Sequence, residues 1–179
     1  PNMTIFVPCD PTEMEKAVFA AAEIDGPVYI RVARPVCEDI TTEDTPFIPG
    51  KANILKDGND VCIITMGLMV PIALKAAEML EAEGISAAVV NMHTVKPIDA
   101  ETILAMNEKC KGIVTAEEHS VIGGLGSAVA EVLAGHAGAK FERVGIQDKF
   151  GKSGKPDELF AAYGLTAENI VEKCKATLA

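Results

Sequence analysis

The sequence predicts an α/β fold: a doubly wound, mostly parallel, five-stranded-type sheet, preceded by a partial α/β unit. Three observations carry that expectation. From Asn59 onward, β-branched apolar runs alternate with segments of helical periodicity. Hydrophobic residues make up 49% of the chain and aromatics 4%, with no Trp, which suits small side chains packed between helices and a buried sheet. Residues 1–34 form a β–α–β pattern of their own, set off by a punctuated stretch.

Taken in order, Met3 to Pro8 is a short apolar run of β-formers. Asp10-Pro11-Thr12-Glu13 then combines an N-cap Asp, Pro at the first helical position and Glu at the third. Met14, Val18 and Ala21 follow at helical spacing and predict one buried stripe. Gly26-Pro27 ends that helix, and Val28 to Ala33 reads as a second strand closed by Arg34. Two strands and one helix cannot bury both sheet faces, so this unit needs more to pack on. Residues 35–58 are acidic, weakly periodic and broken by Pro35, Pro46, Pro49, Gly50 and Gly58, and are expected to be a linker. The chain beyond, residues 59–179, is expected to be a complete domain. Its strands are predicted at 61–66, 86–92, 112–117 and 140–146, and its helices at 70–83, 99–109, 125–135, 156–162 and 167–177. Asp99 and Thr166 are the expected N-caps.

The formal net charge of −10 argues against nucleic acid or an anionic membrane as partner, because both require a basic surface. A phosphorylated small molecule stays open, since one local Arg can bind it. Five scattered cysteines with no Cys-x-x-Cys pair argue against a disulfide framework and suit a reducing, cytoplasmic setting. The longest apolar run, Val61 to Leu74, is interrupted by Gly67 and Pro71 and is too short to span a bilayer. Pro1 stands directly ahead of a strand pattern, and is read as a cut end.

The segment with most chemical content runs from the strand at Gly112 through Glu117-Glu118-His119 into Gly123-Gly124-Leu125-Gly126 and a helix. Strand, glycine loop and helix is the geometry that presents backbone N–H groups to a ligand or partner. A dinucleotide fingerprint fails, because Val129 stands where its third glycine belongs and no acid closes the next strand near Gly145-Ile146-Gln147. Gly151-Lys152-Ser153 fails as a P-loop, because Ile146 occupies the place of the first glycine. The three histidines have no metal-ligand spacing. His119 beside Glu117 and Glu118 suits either proton transfer or a polar role in orienting the loop or meeting another subunit. Arg34 closes a strand with Arg31 three residues before it, and suits either a substrate phosphate or an ion pair with the acids that follow.

Several stretches, in order, carry a resemblance: Pro1 to Glu13, Gly26-Pro27-Val28-Tyr29-Ile30-Arg31, Val90 to Asp99, Glu117-Glu118-His119 with Gly123-Gly124-Leu125-Gly126, Val144 to Phe150 with Ser153-Gly154, and Tyr163-Gly164-Leu165-Thr166. Together they resemble the end of the pyrimidine-binding domain and the C-terminal domain of transketolases, across nearly the whole chain. The resemblance implies thiamine-diphosphate-dependent transfer of a two-carbon ketol unit between phosphorylated sugars, in a dimer, as in the pentose phosphate pathway. It implies that Arg34, with Arg31 nearby, contacts the substrate, and that Glu118, His119, Gly123, Gly124 and Gly126 belong to a loop serving packing and subunit contact.

The family's Gly-Asp-Gly metal and diphosphate signature is absent, and the activating glutamate belongs to a segment upstream of Pro1. Thiamine diphosphate and Mg2+ are therefore expected in the complete enzyme and not on this chain alone, with no catalytic, cofactor-binding or metal residue here. The expected partner is a second copy or an N-terminal transketolase subunit. Deoxyxylulose-phosphate synthase, a 2-oxo-acid dehydrogenase β subunit and a non-catalytic oligomerisation module are the alternatives.

Overall fold

In the computed structural model, which describes residues 1–179, the chain opens with β1 (Thr4–Phe6), α1 (Pro11–Glu23) and β2 (Val28–Ile30). Asp10 caps α1, its Oδ1 accepting the Glu13 N–H at 2.7 Å. The expected Met14–Val18–Ala21 stripe is corrected. The buried residues of α1 are Glu13 and Ala17, while Val18 is exposed. Hydrogen bonds cause the rotation: Glu13 Oε2 accepts the Cys9 N–H at 2.7 Å and Oε1 accepts Asn91 Nδ2 at 2.8 Å. A buried carboxylate needs such donors, and meeting them turns its side of the helix inward.

The stretch 35–58, expected as a linker, carries β3 (Asn53–Lys56) and is tied back to α1. Asp10 Oδ2 accepts the backbone N–H groups of Ile40 and Thr41, and Lys16 Nζ donates to the carbonyls of Thr42, Glu43 and Thr45. These bonds meet the backbone demand of a stretch with little secondary structure of its own.

Beyond it follow β4 (Val61–Thr65), α2 (Met69–Ala82), β5 (Ala87–Asn91), β6 (Thr94–Lys96), α3 (Ala100–Lys109), β7 (Gly112–Ser120), α4 (Leu125–Leu133), β8 (Lys140–Ile146), α5 (Pro156–Tyr163) and α6 (Ala167–Leu178). The expected elements are present, with caps at Asp99 and Thr166. The five-stranded sheet has order β3-β5-β4-β7-β8, parallel throughout except for β3, which runs antiparallel to β5. Because side chains alternate along a strand, β4 divides its apolar residues between two cores. Val61 and Ile63 pack with α2 and α6, whereas Cys62 and Ile64 pack with Ile103 and Met106 of α3 and Leu125 and Val129 of α4. The sheet is thus covered on both faces, as doubly wound folds require.

The N-terminal unit gains its missing strand from the second half of the chain. β1 pairs in parallel with β2 and antiparallel with β6, giving a separate sheet of order β2-β1-β6. The Val7 N–H donates to the His93 carbonyl at 2.8 Å. Phe47 stacks on the buried His93 ring at 4.1 Å and meets Phe6 edge-on at 5.1 Å. Burial in this apolar setting holds the His93 pKa down to about 4, so the ring is neutral at physiological pH.

Candidate functional site

The glycine loop is organised from beneath by Glu117. This residue lies on β7, fully buried, and its two carboxylate oxygens accept the N–H groups of Leu125 at 2.7 Å and Gly126 at 2.8 Å. Those N–H groups belong to the first turn of α4, which has no side-chain cap of its own. An anion held there satisfies two orphan donors and opposes the positive end of the helix. Burial pushes the Glu117 pKa up, and the two N–H groups, His119 and Arg143 pull it back.

Each expected glycine then has a separate cause. Gly123 takes φ 76°, in the left-handed region. A Cβ on Gly124 would overlap the Glu117 carboxylate, and one on Gly126 would lie 2.7 Å from Arg143 Cδ and 2.8 Å from Thr115 Oγ1. His119 is half-exposed, its Nδ1 2.8 Å from the Ser120 carbonyl and 3.8 Å from Glu117 Oε2. Nδ1–H donating to that carbonyl fixes the ring against its own backbone.

Arg31 and Arg34 separate into different environments. Arg31 Nη2 donates to the Glu118 carbonyl at 2.7 Å and lies 3.4 Å from Glu118 Oε2. The guanidinium therefore fastens the end of β2 to the end of β7. Arg34 is exposed and lines a cleft of about 820 Å³, together with Glu118, the β8 end at Ile146, and residues of the loop between β8 and α5. Arg34 and Glu118, far apart in sequence, thus face one cleft at the carboxyl ends of β2, β7 and β8. Carboxyl ends are where open parallel sheets leave room for ligands.

Sequence reasoning did not single out Glu117 as the organiser of the loop, set Lys152 aside with the failed P-loop, and gave Lys149 no role of its own. Both lysines line the Arg34 cleft. The first omission had a signal: an acid buried in a strand, with a glycine pair and a helix start soon after, predicts an acceptor for free N–H groups. The second had none, because nothing local ties residue 34 to residues 149 and 152.

No three His, Cys, Asp or Glu side chains come together as a cation site. The acid at the glycine-rich turn, Glu117, is buried with both carboxylate oxygens taken by the Leu125 and Gly126 N–H groups, so neither it nor those donors are open to a metal-bound diphosphate. The residues present do not fit thiamine diphosphate with its metal, and no chemical step is assigned to that group on this chain. No helix is long and apolar enough to cross a membrane.

Comparison with known proteins agrees with this geometry. Residues 50–170 match the family described as transketolase, C-terminal domain. The chain is 46% identical over 171 residues to the 6-deoxy-6-sulfo-D-fructose transketolase subunit SqwH of Clostridium sp. (strain MSTE9), covering 96% of this chain and 53% of that protein. It is 47% identical over 177 residues to a putative transketolase C-terminal section of Methanocaldococcus jannaschii, covering 97% and 55%. A 1-deoxy-D-xylulose-5-phosphate synthase of Symbiobacterium thermophilum is 36% identical over 181 residues, 99% of this chain and 28% of that enzyme. Among solved structures, a split-gene transketolase in an inactive β4 tetramer superposes with a TM-score of 0.96 at 48% identity, covering 99% of this chain and 58% of that one. The chain spans about half the length of its split-transketolase relatives. The buried Glu117 lock, the two-faced sheet and these matches lead to one conclusion: the chain belongs to the transketolase C-terminal domain family.

Proposed function

We propose that this chain supplies the C-terminal section of a thiamine-diphosphate-dependent transketolase that transfers a ketol unit between sugars bearing an anionic terminus. In this reading residues 1–34 close a pyrimidine-binding domain and residues 59–179 serve chiefly in assembly. An N-terminal section, on another chain or upstream, holds the diphosphate, the metal and the activating glutamate. The observation that carries the reading is Arg34: an exposed guanidinium without an acid partner, four residues beyond the end of β2, in a cleft that Glu118 also lines. Arg31, locked to Glu118, positions that strand end and leaves Arg34 as the substrate contact. The solved split-gene transketolase described as an inactive β4 tetramer supports self-association of this chain without turnover.

Mixing the chain with the N-terminal transketolase section of the same organism tests this. Ketol transfer is expected only with both sections, thiamine diphosphate and Mg2+ present. Arg34→Ala should raise KM for a phosphorylated acceptor about tenfold or more, the worth of a charge-assisted hydrogen bond, and leave an unphosphorylated acceptor nearly unaffected. Turnover by the chain alone, or its tight binding of thiamine diphosphate, would overturn the reading. Formation of 1-deoxy-D-xylulose 5-phosphate in its place would move the protein to the synthase branch, with which it shares 36% identity.

A further inference from the structure

Seven of the sixteen lysines and arginines of this acidic chain pair with acids, and the other nine do not. Lys56 pairs with Glu81, Lys173 with Glu142 and Lys175 with Glu83. Arg34, Lys149 and Lys152 have no such partner, and all three line the same cleft. One reaches it from the end of the N-terminal unit, the other two from the loop after β8. Glu118 is the one acid in the lining, and Arg31 already holds it. A concave surface with three unmatched cations concentrates field lines on an anion, even in a protein whose net charge is −10.

The loop carrying the lysines is held in place. Tyr163 on α5, itself a wall of the cleft, donates its hydroxyl to the Phe150 carbonyl at 2.9 Å. Asp148, at φ 45°, turns the backbone just before Lys149. Lys149 and Lys152 therefore flank a pinned residue, and less backbone entropy is lost when they close on a ligand.

We infer that Lys149 and Lys152 join Arg34 in one binding cleft for a sugar phosphate, so that the C-terminal domain contributes to substrate recognition as well as to assembly. The inference rests on the proposed role of Arg34 and extends it across the junction between the two sheets. A guanidinium grips the phosphate through paired donors, and the ammonium groups add point charge. The volume, about 820 Å³, exceeds what a bare phosphate needs and leaves room for the attached sugar against Pro35, Val36 and Leu159.

The test is calorimetric titration of the full chain with ribose 5-phosphate, inorganic phosphate and ribose. Ribose 5-phosphate is expected to bind more tightly than inorganic phosphate, and ribose not at all. Both lysines are exposed, so Lys149→Ala/Lys152→Ala should fold normally, checked by an unchanged unfolding midpoint. The double variant should lose about tenfold or more in ribose 5-phosphate affinity, and Lys149→Arg/Lys152→Arg should retain it. Wild-type affinity in the double alanine variant, with loss only in Arg34→Ala, overturns this inference and leaves the function proposed for Arg34 standing. Loss in neither variant, or no binding to the wild-type chain, overturns this inference, while the proposed function is decided separately by ketol transfer in the mixed sections. Inorganic phosphate binding as tightly as the sugar phosphate overturns the assignment to a sugar.

Discussion

Glu117 Oε2 accepts the backbone N–H of Leu125 at 2.7 Å from inside the sheet, so a strand residue caps the helix that follows it. Few contacts in this chain tie sequence to shape so directly. The carboxylate organises the bend that follows β7, the strand whose Glu118 lines the Arg34 cleft, and it forbids a side chain at Gly124.

Removing this carboxylate should therefore destabilise the fold. Glu117→Ala leaves two buried N–H groups without acceptors, at roughly 1–3 kcal/mol each. Glu117→Gln keeps one acceptor oxygen and should cost less than the alanine change. Gly124→Ala drives a methyl into the same carboxylate and should cost about 1–3 kcal/mol, as overpacking does. Urea unfolding of the three variants checks the order, and a Glu117→Ala midpoint equal to wild type would refute the capping role.

Glu13 predicts a pH dependence of definite sign. Burial raises its folded pKa above the ordinary value of 4.5, against hydrogen bonds from Cys9 and Asn91 that lower it. A raised folded pKa contributes stability that is full below 4.5 and is lost as pH rises through the folded value. Within that window wild-type stability should fall relative to Glu13→Gln by up to about 1.4 kcal/mol per pH unit. Asp99, held low by the Ala52 and Thr102 donors, has the opposite slope and is common to both proteins. Denaturation of the pair at a series of pH values measures the difference, and a flat difference would refute it.

The cysteines should divide one against four. Cys9, Cys62, Cys110 and Cys174 are buried, and burial pushes their thiols up, that of Cys174 to about 12. Cys37 is only partly covered, although burial and the nearby Asp10 and Asp39 raise its pKa too. A thiol reagent should label one cysteine in the native chain, slowly, and five in denaturant. Rapid labelling of Cys62 or Cys174 in native protein would refute the packing of β4 or α6.

Elements with local causes were legible from residue order. The Asp10, Asp99 and Thr166 caps, the Gly26-Pro27 stop and the apolar β4 run each depend on neighbours within a few positions. The inward face of α1 was not, because Asn91, which helps turn Glu13 inward, lies on a distant strand. The third strand beside β1 was hidden for the same reason: Thr94–Lys96 is too short to announce itself until Ile5 and Phe6 are set against it.

By itself the sequence determined the alternation of strands and helices, the helix caps, the two-faced sheet and the family. Short-range propensity and the periods of apolar residues suffice for these. Only the tertiary structure decided that Arg31 is tied while Arg34 is free, that Glu117 caps α4, and that residues 34, 149 and 152 share one cleft. Those outcomes depend on distances between residues remote along the chain, which are set when the sheets pair and the cores pack.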